Sequence, residues 1–260
     1  MSRAPPPFQE GAAAEKTIHL IRHAESAANL AYTRGDAAAY LLADAELSPA
    51  GERQARALAA HPHLSAFPPQ LLLVSPLRRT MQTAVLGFGE ATPHLLLAGL
   101  QELGRTPCDC AHPALGGEML SRQAWREYEA SYARLPAGWH EKPTGWKAAA
   151  RERFLEMLSL VSRRPEQSVA VIGHHDFFRA FLHSSFDFAE VRTYKLRCDT
   201  LQLLLPNGGD PVCDTQPRPC THCFAFLLPQ AREHELSKGT LDRRRSRIYV
   251  HQVMEPGIEA

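Results

Sequence analysis

Short runs of mainly apolar residues recur along the chain, and each run ends at polar residues or glycine. They span residues 18–21, 71–74, 95–98, 169–172 and 200–205. Runs this short predict buried β-strands rather than helices. We expect the last of them to form an edge strand, because Pro, Asn and Gly residues that favour a turn follow it directly.

Between these runs the apolar positions change to a helical spacing. Residues 55–59 and 125–132 each predict one apolar stripe, and we expect the aromatic residues of the second stripe to pack in the core or a pocket wall rather than bind a cofactor. Strands that alternate with helices predict an α/β fold. The chain has 260 residues, 44% of them hydrophobic, which suits one domain over residues 16–260 after a disordered leader at 1–15. We assign no role to the C-terminal extension that begins at about residue 206.

Charge and hydropathy narrow the classes of partner. The formal net charge is +1, so no overall basic field indicates a nucleic acid or an anionic membrane as a partner. No apolar run approaches the roughly 20 residues that cross a bilayer, and the leader lacks the apolar segment of a signal peptide. We therefore predict a cytoplasmic protein.

The cysteines and the basic residues of the C-terminal part indicate little. Six irregularly spaced cysteines do not make a disulfide framework in a chain of this length, so we expect reduced thiols. Cys220 and Cys223, with Cys213 upstream, resemble half of a zinc site, but no second pair follows at a suitable spacing. For Arg243–Arg245 we expect a solvated patch, with nuclear targeting or nucleic-acid contact as the alternative.

The first apolar run leads directly into Arg22 and His23. At the end of a buried strand an arginine supplies donors for an anion, and a histidine supplies a nucleophilic imidazole. A single histidine in this place is more often a solvated strand end, so the pair needs companions before it indicates a site.

The second run continues into a sequence typical of a helix start. Ser75 suits the N-cap and Pro76 the first helical position, so we predict that a helix begins there. The N-terminus of a helix favours an anion, and Arg79 adds a planar fork of donors for phosphate oxygens. For one of Arg78 and Arg79 we expect a solvated helix face instead.

The run at residues 169–172 ends at Gly173, and His174 follows it. Three strand ends then carry an arginine with a histidine, a second arginine and a second histidine. Because ligands of open α/β sheets bind at the carboxyl ends of the strands, these side chains predict one shared site. Cations and imidazoles together indicate phosphoryl chemistry.

These residues resemble the motifs of the histidine phosphatase superfamily, also called phosphoglycerate mutase-like proteins, over about residues 18–181. The matching segments are Arg22-His23-Ala24-Glu25-Ser26 with Asn29, Leu47-Ser48 with Gly51 and Gln54-Ala55, Ser75–Ala84 with Arg79, and His174. The resemblance implies a three-layer α/β/α fold around a mostly parallel sheet. It also implies a helical substrate cap, which we expect at about residues 119–147.

The resemblance also implies roles for individual residues. His23 would be phosphorylated transiently while Arg22, Arg79 and His174 hold the phosphoryl oxygens, and Glu102 would protonate the leaving oxygen. The residues expected to contact the substrate further are Ser26, Asn29, Arg105 and His175. The implied reaction needs no metal and no other cofactor, and its substrate would be a small phosphorylated molecule or a phosphoprotein.

Two positions depart from the family pattern. Ala24 stands where glycine is usual, so we expect an ordinary backbone conformation there. His175 and Asp176 follow His174 where small residues are common, and they could narrow the pocket or orient His174. We predict a metal-independent phosphatase; a phosphoglycerate mutase-type transferase and an inactive phosphate-ester-binding protein are the alternatives.

Overall fold

A six-stranded sheet forms the centre of residues 14–206, which are the residues that the computed structural model describes. The strands are β1 (Glu15–Arg22), β2 (Leu71–Val74), β3 (His94–Leu96), β4 (Ser168–Gly173), β5 (Val191–Arg197) and β6 (Gln202–Leu204). Their order is β3-β2-β4-β1-β5-β6. The first four run parallel, β5 lies antiparallel to β1, and β6 lies antiparallel to β5. The predicted mostly parallel sheet and the edge strand are confirmed.

Helices cover both faces of this sheet. They are α1 (Ala27–Thr33), α2 (Pro49–Ala57), α3 (Pro62–Ala66), α4 (Arg78–Phe88), α5 (Pro113–Gln123), α6 (Arg126–Ala133), α7 (Ala150–Arg163) and α8 (His175–Leu182). Alternate residues of β2 enter different cores: Leu71 and Leu73 pack in one with α7 and α8, and Leu72 and Val74 in the other with α4 to α6. Because the central strands β2 and β4 are buried on both faces between these helices, the three-layer α/β/α fold is confirmed.

The aromatic stripe predicted at residues 125–132 belongs to the core. Tyr128 and Tyr132 are buried, and Trp125, which directly precedes α6, packs against the same cluster. The expected insertion at 119–147 comprises the end of α5, all of α6 and a largely irregular segment that reaches α7.

The predicted start of α4 is wrong. The helix begins at Arg78 rather than Pro76, and the Ser75 hydroxyl does not cap it. Instead, Oδ1 of the buried Asp44 accepts the main-chain N–H of Arg78 at 3.0 Å, and its Oδ2 accepts that of His112 at 3.0 Å. A carboxylate from a distant loop thus satisfies the helix terminus.

Strand β5 has no counterpart among the predicted strands, because Arg192, Lys195 and Arg197 interrupt its apolar positions. At the other end, β1 begins at Glu15, inside the expected leader. The remaining predictions for the leader, for the Cys213, Cys220 and Cys223 group and for Arg243–Arg245 lie outside the described residues.

Three findings concern residues 14–206 alone. Cys108, Cys110 and Cys198 are free thiols. None of the helices described here combines the length and the apolar character that crossing a membrane requires. In this part of the chain, no group of three or more His, Cys, Asp and Glu side chains is arranged to hold a metal ion.

Candidate active site

The site lies at the carboxyl ends of three adjacent parallel strands. β1, β4 and β2 are paired in register, with Arg22 opposite Gly173 and Val74 opposite Ile172. The ladder continues one step further, because the main-chain N–H of His23 donates to the Gly173 carbonyl at 3.0 Å. His23, His174 and Ser75 therefore leave the sheet side by side.

The His23 ring is almost completely buried, with 3% of its surface exposed. Its Nδ1 lies 2.7 Å from the Ala24 carbonyl oxygen, and Nε of Arg79 donates to its Nε2 at 3.1 Å. A guanidinium only donates, so Nε2 is the acceptor and Nδ1 carries the proton. Burial lowers the pKa of His23 well below its ordinary value, and the charges of Arg79 and Arg22 lower it further. The result is a neutral imidazole with a lone pair on Nε2.

Arg79 connects the two histidines of the site. Besides its bond to His23, one terminal nitrogen donates to Nδ1 of His174 at 3.1 Å and the other to the Cys108 carbonyl at 2.6 Å. Nε2 of His174 lies 2.8 Å from the Ser75 hydroxyl, and the two imidazole centroids are 5.2 Å apart. Burial, followed by the charge of Arg79, lowers the pKa of His174 well below its usual value.

Arg22 is fixed beside this pair but keeps one donor unused. Its guanidinium donates to the Phe186 carbonyl at 2.7 Å and lies 3.9 Å from the centre of the Phe188 ring. Burial lowers its pKa to about 10. The buried Nε has no hydrogen-bond partner within residues 14–206. Leaving a buried donor unpaired is costly, so this N–H suits an oxygen of a bound anion.

Glu102 follows β3 and lies against the N-terminus of α8. Its Oε1 accepts the main-chain N–H groups of Leu103 at 2.8 Å and Phe177 at 3.1 Å, and its Oε2 accepts that of Asp176 at 3.3 Å. These bonds favour the ionised carboxylate, but burial outweighs them. Burial, with the charges of Asp176 and Asp109, raises the pKa of Glu102 to about 7. The group can therefore both give and take a proton near neutrality.

The segment after His23 is clamped by α2. A Cβ on Gly51 would lie 1.9 Å from the Glu25 carbonyl oxygen, so only glycine permits this approach. The Ser48 hydroxyl donates to the Glu25 carboxylate at 2.5 Å, and the Glu25 N–H donates to the Gln54 side chain at 2.9 Å. Ala24, buried beside them, has no positive φ, as expected. This second motif holds the loop that follows His23, and its hydrogen bonds do not reach the rings of His23 and His174.

A family model describes the same constellation of motifs. The model of the histidine phosphatase superfamily (branch 1) matches residues 18–205. The chain belongs to this superfamily. The predicted resemblance to the histidine phosphatase superfamily, also called phosphoglycerate mutase-like proteins, is confirmed.

Individual relatives differ in how much of the chain they match. A phosphoglycerate mutase-like protein of Arabidopsis thaliana is 30% identical over 203 residues, which are 65% of this chain and 74% of the relative. Phosphoglycerate mutase-like protein 2 of the same plant is 42% identical over 96 residues, 32% of this chain and 28% of that protein. Among solved structures, mycobacterial glucosyl-3-phosphoglycerate phosphatase is 22% identical with a TM-score of 0.43, over 69% of this chain and 92% of that one.

In this member of the histidine phosphatase superfamily the predicted site residues fall into two groups. The structure brings together His23, Arg22, Arg79, His174 and Glu102. The four residues expected to contact substrate are engaged with protein groups instead. Ser26 and Asn29 bond each other in the capping box of α1, Arg105 is exposed and donates to the Pro143 carbonyl, and His175 lies 3.1 Å from the Phe186 carbonyl. Their contact with a substrate stays a prediction.

The expectation that one of the two neighbouring arginines is solvated is wrong. Arg78 forms an ion pair with Glu46, and only 14% of its side-chain surface is exposed. The main-chain N–H of Arg78, at the start of α4, donates to the carboxylate of Asp44. Arg79 is buried in the site, so neither side chain forms a solvated face.

Two further residues, to which the sequence assigned no site role, lie at the site. Ser75 looks like a helix cap, but its hydroxyl bonds His174. Lys142 lies in the irregular part of the insertion, and its Nζ donates to the carbonyls of Gly104 at 2.5 Å and Asp109 at 2.7 Å. Its charge lowers the pKa of His174, and burial lowers its own pKa. Lys142 is separated from Gly104 by 38 positions in the sequence, so no local pattern marks it.

Proposed function

We propose that this protein hydrolyses phosphate monoesters through a transient phosphohistidine on His23. The observation that carries the proposal is the state of the imidazole: it is buried, neutral and hydrogen-bonded at Nδ1, with its Nε2 lone pair next to Arg79. Arg22 and His174 supply the further groups that an anion at Nε2 would contact. Phosphoryl transfer depends mainly on such positioning and on charge around the transferring group.

In the first step Nε2 of His23 attacks phosphorus as the bond from phosphorus to the ester oxygen breaks. The departing oxygen takes the proton of Glu102, so the leaving group departs as a neutral alcohol. Nδ1–H stays bonded to the Ala24 carbonyl and stabilises the charge that the phosphorylated ring acquires. Arg79 exchanges its present partners for phosphoryl oxygens, and the Nε–H of Arg22, unpaired within residues 14–206, donates to another phosphoryl oxygen.

In the second step water attacks the phosphorus of the phosphohistidine, and the phosphorus–nitrogen bond breaks. The Glu102 carboxylate takes the proton of the water, which restores the acid for the next turnover. A pKa of about 7 suits both roles, because the proton is neither held too tightly nor lost too early. The products are the alcohol and inorganic phosphate, and no step is routed through a metal ion.

The test is hydrolysis of p-nitrophenyl phosphate across pH in excess EDTA. We expect turnover by the wild type, none above background for His23→Ala, and a loss for Glu102→Gln that grows towards substrates with poorer leaving groups. His63→Ala is the matched control, because His63 precedes β2 at the opposite end of the sheet and bonds Thr193. Its activity should equal that of the wild type.

Intact-mass measurement after rapid acid-free quenching adds a direct readout. The wild type should gain one phosphoryl group with substrate, and His23→Ala should gain none. Undiminished activity of His23→Ala would overturn the mechanism. Transfer of the phosphoryl group to an added alcohol or phosphoglycerate in preference to water would favour the mutase, and absence of turnover with tight binding of phosphate esters would favour the binding protein.

A further inference from the structure

Two segments far apart in sequence are joined along the edge of the site. We call residues 101–105 the acid loop, since it carries Glu102, and residues 139–146 the strap. Four hydrogen bonds connect them: Gln101 Nε2 to the Trp139 carbonyl at 3.0 Å, Trp146 Nε1 to the Glu102 carbonyl at 2.9 Å, Lys142 Nζ to the Gly104 carbonyl at 2.5 Å, and Arg105 to the Pro143 carbonyl.

Arg153 on α7 contacts both the acid loop and the strap. Its guanidinium lies 3.7 Å from the centre of the Trp146 ring and 5.0 Å from that of Phe177. It donates to the carbonyls of Gly99 at 2.7 Å and Gln101 at 3.2 Å, and to that of Trp146 at 3.3 Å. One buried side chain thus holds the main chain just before Glu102 and the tryptophan that holds Glu102 itself.

Arg153 places a charged guanidinium in the interior of the protein. Only 8% of Arg153 is exposed, and its Nε has no partner within residues 14–206. Removing such a charge from water is unfavourable, and an apolar side chain of similar volume often serves stability as well or better. The geometry gives this cation another use, since its donors and stacked face converge on the acid loop.

We propose that Arg153 and Trp146 are positioning residues for Glu102, and that they set the distance from its carboxyl to the oxygen of the leaving group. The inference rests on the proposed acid role of Glu102. The Glu102 carboxylate is fixed by main-chain N–H groups of α8, whereas its main chain is fixed by these two side chains. Loss of either one shifts the acid without touching the nucleophile or the arginines of the anion site.

A shifted acid has a signature that a loss of stability lacks. A nitrophenolate departs without a proton, whereas a phenolate or methoxyphenolate of higher basicity needs one. The experiment measures kcat/KM for p-nitrophenyl, phenyl and p-methoxyphenyl phosphates, because kcat/KM reports the step that phosphorylates the enzyme. Trp146→Phe keeps a stacked ring but lacks Nε1–H, and Arg153→Met keeps length but lacks the donors.

For both variants we expect kcat/KM to fall less than about threefold on p-nitrophenyl phosphate and about tenfold to a hundredfold on p-methoxyphenyl phosphate, the size of a general-acid effect lost through misplacement. Lys16→Met is the matched control. Lys16 is a buried cation that also donates to a main-chain carbonyl of α7, that of Val161 at 3.0 Å, but it lies near the start of β1, away from His23. Lys16→Met should lower the midpoint temperature of thermal unfolding without changing the ratio of kcat/KM between the substrates.

Equal losses on all three substrates, or none, would overturn the positioning role. If Arg153→Met does not fold, Trp146→Phe decides alone, since its ring still fills the site. Glu102→Gln separates the two hypotheses: if it shows no dependence on the leaving group while His23→Ala is inert, the acid assignment fails and the phosphohistidine stands. If Glu102→Gln shows the dependence and Trp146→Phe does not, only the positioning role fails.

Discussion

The two halves of the site are built in different ways. The anion half, with His23, Arg79 and His174, lies on strand ends and on a helix that starts beside them, so the main-chain ladder of the sheet places it. The acid half lies on a loop, and side chains of the strap and of α7 hold its carbonyls. A ladder resists single substitutions, whereas side-chain bonds can be removed one at a time. The anion half should therefore fail as a unit and the acid half by degrees.

The largest expected effect separates two neighbouring arginines. Arg79→Met removes three donors of the anion half, and we expect kcat to fall about 100- to 1000-fold, as for lost donors to a transition state. Arg78→Met is the matched control, since Arg78 pairs with Glu46 outside the site. It should lower the free energy of unfolding by about 1–2 kcal/mol and change kcat less than about threefold. Similar kinetic losses in both would contradict the division.

Gly51→Ala tests the clamp on the loop that follows His23. The added Cβ would overlap the Glu25 carbonyl, so α2 or the loop must move, and we expect the free energy of unfolding to fall by about 2–4 kcal/mol in urea titrations. Activity should fall equally for all aryl phosphates. Gly117→Ala is the control: it faces open space on α5 and should stabilise the protein by about 0.5–1 kcal/mol. If Gly51→Ala left the free energy of unfolding and the activity unchanged, the clamp would be contradicted.

Ser75→Ala removes the partner of Nε2 on His174 at 2.8 Å. We expect kcat/KM to fall about tenfold, the worth of one net hydrogen bond that orients a ring. Ser162→Ala, which loses only a bond to the Ser159 carbonyl within α7, should leave kcat/KM unchanged. Equal rates for wild type and Ser75→Ala would mean that Arg79 alone orients His174.

Asp176→Asn gives the smallest expected effect and concerns the acid half. Asp176 is the first-ranking charge that raises the pKa of Glu102, after burial. Without it the carboxylate forms more easily, so the pKa of Glu102 falls and the protonated acid is lost at lower pH. The alkaline limb of kcat/KM should move down by less than about 1 pH unit, and less in high salt because the Asp176 side chain is 59% exposed. A limb that moves up would contradict the sign.

The sequence predicted the fold and the anion half because both depend on short-range patterns. Apolar runs mark β1, β2 and β4, and the residues just after each run are the ones the sheet brings together. Helix starts were less accessible: Ser75 and Pro76 have the right chemistry for a cap, but the Ser75 hydroxyl is engaged by His174 and Asp44 takes over the helix terminus. A local pattern cannot show which of two partners a hydroxyl chooses.

The sequence predicted only part of the acid half, again because a local pattern does not show long-range partners. Glu102 follows a predicted strand and a motif, but Lys142, Trp146 and Arg153 reach it only after the chain has passed through α5 and α6. Ser26 and Asn29 show the converse, since residues that fit a substrate-binding motif also fit a capping box, and the structure shows them making that box. Long-range side-chain bonds leave no periodic trace in sequence.

The guanidinium of Arg79 already spends three of its donors on His23, His174 and Cys108 before any ligand arrives. Orthophosphate entering the site must exchange those three bonds and gains a new donor only at the Nε of Arg22, which is unpaired in the described part of the chain, so its net gain is small. We expect weak inhibition by the product and rapid clearing of the site between turnovers, which calorimetric titration with orthophosphate would measure. A guanidinium that returns to its own partners after turnover would displace the phosphate without a separate release step.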